Sequence, residues 1–419
     1  MTIKDLVKKI IPSPLLGFYH FCWALLGAVI FGFPGKSKSF KIIGITGTSG
    51  KSTTSDLVTR ILEEAQPSPE ASAGKAGNKV ASISTIRFKI ADKEWENKYK
   101  MTMPGRFVIQ RFLKQAKKAG CNFIVLEITS QGIEQFRHKF INFDTAVFTN
   151  LSPEHIESHH GFENYRNEKL KLFKVAKNVH VINIDDENAK YFLDIPANKK
   201  ITFGKTQGNF NLQNTSFNLS LAGDFNKSNA LAAICVARNY GISLDVCKRA
   251  LEKAKGIAGR MEVIQKEPFK VIVDYAHTPE QLESVYKSFE GKPLICVLGS
   301  CGGGRDKWKR PVLGEIAKKY CKEIIVTNED PYDENPLSIM KEIESALSHD
   351  GANPKHHMIL DRKEAIEVAI KSAKPGDAVV ITGKGSEPWM CVANGKKISW
   401  DDRKIAKEKL EAVKNQIDN

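Results

Sequence analysis

Apolar and polar positions along this chain fall into two regimes. From residue 40 onward, short unbroken apolar runs recur between stretches with helical spacing. FKIIGIT (40–46), NFIVLEIT (122–129), TAVFTNL (145–151) and NVHVINID (178–185) are such runs. Apolar residues facing both ways predict strands covered on both faces, as in a parallel sheet. TTSDLVTRILEEA (53–65) and RFVIQRFLKQAKKAG (106–120) follow a helical period, the second stopped by Gly120. VASISTIRFKI (80–90) reads as one more strand, and QPSPEASAGKAGNK (66–79) as a polar loop. NKSNALAAICVARNYG (226–241) predicts a helix with an Asn at its start and Gly241 at its end, and ISLDVCKRALEKAKGI (242–257) a second. A further set of apolar runs follows: FKVIVDYA (269–276), PLICVLGS (293–300), EIIVTNED (323–330) and DAVVITGKG (377–385). Strands alternating with helices predict an α/β chain with mainly parallel sheets, whose ligands bind beyond the C-terminal strand ends.

The second regime is residues 10–35, IIPSPLLGFYHFCWALLGAVIFGFPG, which contain no Asp, Glu, Lys or Arg. Leu15 to Phe33 approaches the about 20 residues a membrane-spanning helix needs. Lys8 and Lys9 precede the run and Lys36 and Lys38 follow it, so charge gives a span no orientation. No small-residue cleavage site follows. Three readings stand: a helix packed on the body, a helix in the membrane interface, or a span. His20 with Phe18, Tyr19, Phe21 and Trp23 favours an interface or a protein groove over bare hydrocarbon.

The net charge of +15 over 419 residues suits anionic partners such as nucleotides, sugar nucleotides or a phospholipid surface. Nucleic acid is not expected, because no basic patch is interleaved with aromatics. The 8 cysteines show no C-x-x-C spacing, which excludes a zinc ribbon and fits reduced thiols in the cytoplasm.

The chemistry begins at ITGTSGKSTT (45–54). Gly47 and Gly50 let the backbone approach a phosphate, with Thr48, Ser49 and Thr53 completing the loop and helix start. Lys51 would neutralise phosphate charge, and Ser52 would offer its hydroxyl to Mg²⁺. Glu127 ends an apolar strand, where a metal-binding carboxylate belongs. NLSPEHIESHHGFENYRNEKLKLF (150–173) adds His155, a candidate metal ligand, and Lys169; His159 and His160 read as solvated loop residues.

Together these stretches resemble the ATP-dependent Mur ligases. GTSGKSTT is similar to their short phosphate loop, LEITSQGIEQFR to their Glu-Val-Ser-Ser-His stretch, and TNLSPEHIESHHGFENYRNEK to the segment leading to a lysine carbamylated by CO₂. The resemblance places that carbamate on Lys169, where with Ser52, Glu127 and His155 it would hold Mg²⁺, in all two ions. It implies Asn226 and Asn229 near the adenine, Arg260 on the ATP phosphates, and nucleotide contacts for Asp274 and His277. VDYAHTPEQL, GSCGGGRDKWKRP, TGKGSEPW and WDDRKIAKEKL resemble the MurE type, which adds the third residue of a cell-wall stem peptide. The implied fold is a P-loop-type central ATPase domain with a mainly parallel sheet (40–258) and a C-terminal Rossmann-like α/β domain (259–419), after an apolar segment (1–39). The implied reaction makes an acyl phosphate from ATP and a carboxylate, which an amino acid's amine then attacks. The C-terminal domain would bring the amino acid and close over the ATP. The implied partners are small molecules, a muramyl-peptide precursor and an amino acid, handled by a monomer in the cytoplasm or at the inner face of the membrane.

The sequence departs from that pattern in two places. Residues 1–39 leave no room for the family's uridine-binding domain, so the acceptor is either UDP-linked and held differently or lipid-linked. Thr102, Thr129, Gln135 and Arg137 stand where the family contacts the muramyl dipeptide, Gln131 replacing a His. The selector also differs. Diaminopimelate-adding members carry Asp-Asn-Pro-Arg, and here EDPY puts Tyr332 beside Asp330 in the arginine's place. Tyrosine offers no bidentate cation, so lysine is the expected added residue. Arg305, Gly383 and Glu387 match positions that hold the amino acid's common carboxylate and amine, and Ser386 replaces a His. A γ-glutamyl ligase of the folate or polyglutamate kind is the alternative, against which DYAHTP and GKGSE argue.

Overall fold

The computed structural model describes residues 13–65, 77–99, 101–347 and 354–417. Most of the loop expected over 66–79, and the first residues of the apolar segment 10–35, lie outside them. Two compact units form. The first comprises Met1–Leu151, Glu163–Leu219 and Asn226–Ala254; the second comprises Ser152–Phe162, Ser220–Phe225 and Lys255–Asn419.

In the first unit, helix α1 (Ser13–Phe31) precedes strand β1 (Lys41–Thr46) and helix α2 (Lys51–Glu64). Strands β2 (Val80–Ile83), β3 (Arg87–Ile90) and β4 (Lys93–Glu96) follow, then α3 (Arg106–Lys118), β5 (Phe123–Glu127), α4 (Ser130–Glu134) and β6 (Phe143–Phe148). After an excursion into the second unit with the short helix α5 (Ile156–His159), the chain returns with α6 (Phe162–Val175), β7 (Val179–Asn183), α7 (Ala189–Leu193), β8 (Lys199–Gly204) and β9 (Phe210–Asn211). Helices α8 (Phe225–Asn239) and α9 (Leu244–Glu252) complete it. The sheet order is β4-β3-β2-β5-β1-β6-β7-β8-β9. All neighbours from β2 to β9 pair parallel, whereas β2, β3 and β4 form antiparallel hairpins. The run read as one strand over 80–90 is thus two, because Ser84 Oγ accepts from the Ile86 and Arg87 amides and turns the chain at Thr85. Strands β1, β5 and β6 are central, so the loops after them share the C-terminal edge.

The second unit carries a six-stranded sheet, β10-β11-β15-β12-β13-β14, built from β10 (Glu262–Gln265), β11 (Lys270–Val273), β12 (Leu294–Leu298), β13 (Glu323–Thr327), β14 (Lys355–Ile359) and β15 (Ala378–Ile381). Only β10 pairs antiparallel. Alternate residues serve opposite faces: Ile272, Cys296, Ile324 and Val380 pack in one core, Val271, Ile295, Ile325 and Val379 in the other. Helices α10 (Pro279–Lys287), α11 (Lys309–Tyr320), α12 (Pro336–Glu344), α13 (Arg362–Ser372) and α14 (Asp402–Ile417) cover these faces, and a small hairpin pairs β16 (Trp389–Cys391) with β17 (Lys397–Ser399). Three helices begin with caps legible in the sequence: Thr278, Asn335 and Asp361 accept from amides of their first turns.

Candidate active site

The phosphate loop joins β1 to α2. Gly50 has φ 77, and a Cβ there would stand 2.3 Å from Asn229 Oδ1; a Cβ on Gly47 would stand 1.9 Å from Thr149 Oγ1. Only glycine fits either place. Asn150 holds the loop from beyond β6: its carbonyl accepts from Thr48 N at 2.9 Å and its side chain from Ser49 N at 2.8 Å. Thr149 Oγ1 donates to Ser49 O at 2.7 Å. Lys51 folds back over the loop, donating to the carbonyls of Gly47 and Thr48 at 3.0 and 2.9 Å. Thr53 is buried in the first turn of α2. Asn229 underlies the loop, accepting from Thr54 Oγ1 and donating to Asn226.

Ser52 Oγ donates to Glu127 Oε2 at 3.1 Å. Glu127, 1% exposed at the end of β5, also accepts from Thr85 N and Thr85 Oγ1, and Thr85 reaches Thr102 at 2.8 Å. Among the described residues, no three His, Cys, Asp or Glu side chains group tightly enough to hold a metal alone. Two oxygens beside a phosphate loop fit Mg²⁺ instead, since that ion keeps waters and takes phosphate oxygens.

Lys169 projects from α6 to the same loop. Its amine donates to Gly47 O at 2.9 Å and lies 4.5 Å from the Tyr165 ring, whose hydroxyl meets Thr48 Oγ1 at 3.0 Å. Burial, with Lys51 nearby, drives its pKa well below that of an ordinary lysine. Burial thus disfavours the charged form of this amine.

Thr129 caps α4, accepting from Gly132 N. Gln135 and Arg137 brace the neighbouring backbone: Arg137 donates to Gln135 Oε1 and to Met103 O, and Arg106 to Gln135 O. Burial and Arg106 lower the Arg137 pKa to about 10.

The second unit assembles its own cluster. His155, at φ 57 before α5, has Nδ1 at 3.3 Å from Arg305 Nη1. Its segment is clamped to residues 305–309: Asp306 accepts from Ile156 N and Glu157 N, and buried Glu154 pairs with buried Lys309 at 3.2 Å. The structure therefore groups His155 with Arg305, while in the first unit Ser52 meets Glu127 and Lys169 meets the phosphate loop at Gly47. His159, read as solvated, is buried at 6% exposure; His160 is exposed.

Lys384 is buried, donating to Asp330 Oδ2 at 2.8 Å and to Glu387 Oε2 at 2.5 Å. Burial would lower its pKa, but Glu387 and Asp330 raise it. Glu387 also accepts from Tyr275 OH. Asp330 takes Cys391 N at 2.6 Å, and the Tyr332 ring would stand 2.6 Å from a Cβ on Gly303. Glu329 lies under Gly383, where a Cβ would stand 1.9 Å from its Oε2; Oε1 accepts from Cys301 at 3.2 Å. Burial raises the Glu329 pKa, with Arg362 and Lys384 opposing. Asp274 accepts from Met261 N and Ala276 N, Arg260 stacks on Tyr275 at 4.2 Å, and His277 Nδ1 is 2.8 Å from Tyr275 O. Burial, with Lys309 and Arg305, lowers the His277 pKa well below normal. Sequence reasoning passed over Lys384, Glu329 and Cys301, although Lys384 and Glu329 adjoin Gly383 and Asp330 and Cys301 lies in the stretch GSCGGGRDKWKRP.

The Mur ligase middle-domain model matches residues 45–237, and the model for the Mur ligase glutamate ligase domain matches 259–385. The chain belongs to the Mur ligase family. This Mur ligase is 37% identical over 414 residues to a UDP-N-acetylmuramoyl-L-alanyl-D-glutamate–2,6-diaminopimelate ligase of Syntrophomonas wolfei, covering 92% of this chain and 81% of that protein. A solved structure of a ligase with that name aligns at TM-score 0.57 and 29% identity, over 90% of this chain and 79% of the other. Mycobacterium tuberculosis folylpolyglutamate synthase shares the fold at TM-score 0.66 and 15% identity, over 86% of this chain and 92% of that one. The chain is an ATP-dependent ligase, and Mur ligases use ATP and Mg²⁺ generally.

Proposed function

We propose that this Mur ligase adds an amino acid, L-lysine in our reading, to a UDP-linked muramyl dipeptide, through an acyl phosphate. The name of the Syntrophomonas relative, which is that of a ligase acting on UDP-N-acetylmuramoyl-L-alanyl-D-glutamate, supports this acceptor. The observation that carries the assignment is the buried amine of Lys169 held on the phosphate loop within one hydrogen bond of Gly47.

In this reading 40–258 holds ATP and 259–419 the amino acid. The amides of the loop and of the start of α2 cradle the phosphates, and Lys51 swings from its two loop carbonyls onto the transferring phosphoryl. Ser52 and Glu127 would hold Mg²⁺, which supplies charge neutralisation at the phosphates. Lys169 would carry a carbamate, formed when its deprotonated amine bonds to the carbon of CO₂ and an N–H proton is released to solvent, leaving an anionic oxygen donor; His155 is the remaining candidate ligand. Asn226, Asn229, Arg260, Asp274 and His277 serve the nucleotide, Asn229 by supporting Gly50. Thr102, Thr129, Gln135 and Arg137 serve the dipeptide. Arg305 takes the amino acid's carboxylate; Gly383, Glu387, Asp330 and Tyr332 surround the rest of it. The chain acts as a monomer in the cytoplasm or at the inner face of the membrane.

The test is phosphate release and product mass with UDP-MurNAc-L-Ala-D-Glu and each amino acid in turn. A lysine adduct is expected. A diaminopimelate adduct overturns the selector assignment alone, and no adduct with any amino acid overturns the acceptor. A lipid-linked or non-muramyl peptide, or a γ-glutamyl chain, is then the next acceptor to assay.

A further inference from the structure

Helix α1 is inside out for an element facing water. Its small residues turn inward: Ala24 and Ala28 are buried, and a Cβ on Gly27 would stand 3.7 Å from the Cα of Phe107 in α3. At about 100° per residue, its large apolar residues fall on the opposite arc. Phe18 is 67% exposed, Leu15 60%, Ile30 55% and Val29 54%, with Leu25 and Leu26 beside them. A surface helix of a water-soluble domain places polar residues there.

Charge distinguishes the occupants of that arc. The helix carries no charged residue. The elements it packs on carry cations and no acid: Lys36 in the Pro34–Lys36 turn, and Arg106, Arg111, Lys114, Lys117 and Lys118 in α3. The last four are exposed. Arg106 meets His20 at 2.5 Å, Phe107 packs on Trp23 with ring centroids 5.5 Å apart, and Lys114 lies 5.9 Å from the Phe31 ring. The two helices thus run side by side, with Arg106 near one end of the contact and Lys114 near the other. That excludes a span in this conformation, since crossing would carry α3's charges into hydrocarbon; no helix among the described residues is long and apolar enough to cross a membrane. A second copy of the chain would bring two sets of cations together. An anionic lipid surface satisfies both features, apolar side chains at the acyl boundary and lysines among the phosphates.

We propose that α1 is an in-plane anchor that seats the ligase on a bilayer leaflet rich in anionic lipid, with the exposed cations of α3 against the headgroups. Arg106 also donates to Gln135 O, so the anchor adjoins the dipeptide candidates Gln135 and Arg137. Vesicle binding is scored without ATP or acceptor, so its outcome is separate from that of the ligation reading.

The experiment is co-sedimentation of the full chain with vesicles of phosphatidylcholine, alone or mixed with phosphatidylglycerol. Partitioning at least about tenfold higher into the anionic vesicles is expected, from several lysines near the charged surface. Leu26→Glu/Val29→Glu should lose binding to both compositions, and Lys114→Glu/Lys117→Glu should lose only the anionic preference, each with wild-type ATP-dependent phosphate release. If the glutamate pair misfolds, Leu26→Ser/Val29→Ser should still weaken binding severalfold. No binding, or equal binding to both compositions, overturns the proposal. So does a dimer that Leu26→Glu/Val29→Glu splits while vesicles bind neither form, which would make the arc an interface between copies.

Discussion

At the scale of single residues, the two amines on the phosphate loop, Lys51 and Lys169, make the sharpest claims. Lys51→Ala should lower kcat about 100- to 1,000-fold, the usual loss for one positioned electrostatic group, read by steady-state ligation. Lys169→Ala should abolish ligation, and short carboxylic acids should restore part of it; unimpaired ligation would end the carbamate reading. Lys169 also makes a pH prediction. Its folded pKa lies below the unfolded value, so the unfolded chain binds the extra proton between the two. Stability therefore rises with pH through that window and levels off above the unfolded value of about 10.4. In CO₂-free buffer, Lys169→Met should stabilise the protein at neutral pH, with the gain shrinking towards alkaline pH in urea titrations. Tyr332→Arg should move amino-acid preference towards diaminopimelate in competition assays. The residues most legible in the sequence were those whose type has one use in one place, such as the two loop glycines and Lys51. Lys384 and Glu329 were not, because a charge in a loop after a strand ordinarily meets water, and only the pairing of Lys384 with Asp330 and the packing of Gly383 on Glu329 show otherwise.

At the scale of elements, α13 is tied to the start of α14 by a fully buried ion pair, Arg362 to Asp402 at 2.7 Å. Burial alone would lower the arginine's pKa, but Asp402 raises it. Asp402→Ala strands that charge and should cost about 3–5 kcal/mol. Glu408→Ala, which breaks the solvated pair between Lys363 of α13 and Glu408 of α14, should cost less than about 1 kcal/mol. Chemical denaturation of the two variants side by side checks the contrast. The parallel strands were legible because their apolar runs are unbroken. Strand β8, KKITFG, was not, since two lysines open it and only half its residues are buried. The β3–β4 hairpin escaped for a related reason: all of β4 is exposed, so no apolar period marks it.

At the scale of the whole molecule, ATP with Mg²⁺ should raise the unfolding temperature of the wild type, since a ligand at about 100 times its Kd adds roughly 2.7 kcal/mol to the state that binds it. Gly50→Ala should lose that shift in differential scanning fluorimetry, because its Cβ collides with Asn229. The two mainly parallel sheets were legible from the repeated strand–helix pattern. The path of the chain between the units was not, because nothing in NLSPEHIESHHGF shows that its partners lie near residue 306. That path has a consequence for synthesis on the ribosome. Glu154 is separated from Lys309 by 155 positions, so the acid leaves the exit tunnel long before its ammonium partner exists. A chain stalled after Ala254 contains every segment of the first unit, yet its residues 152–162 have nothing to close against. Proteolysis of such stalled chains should cut there and spare the flanking strands, and the site should become protected only once α11 has emerged.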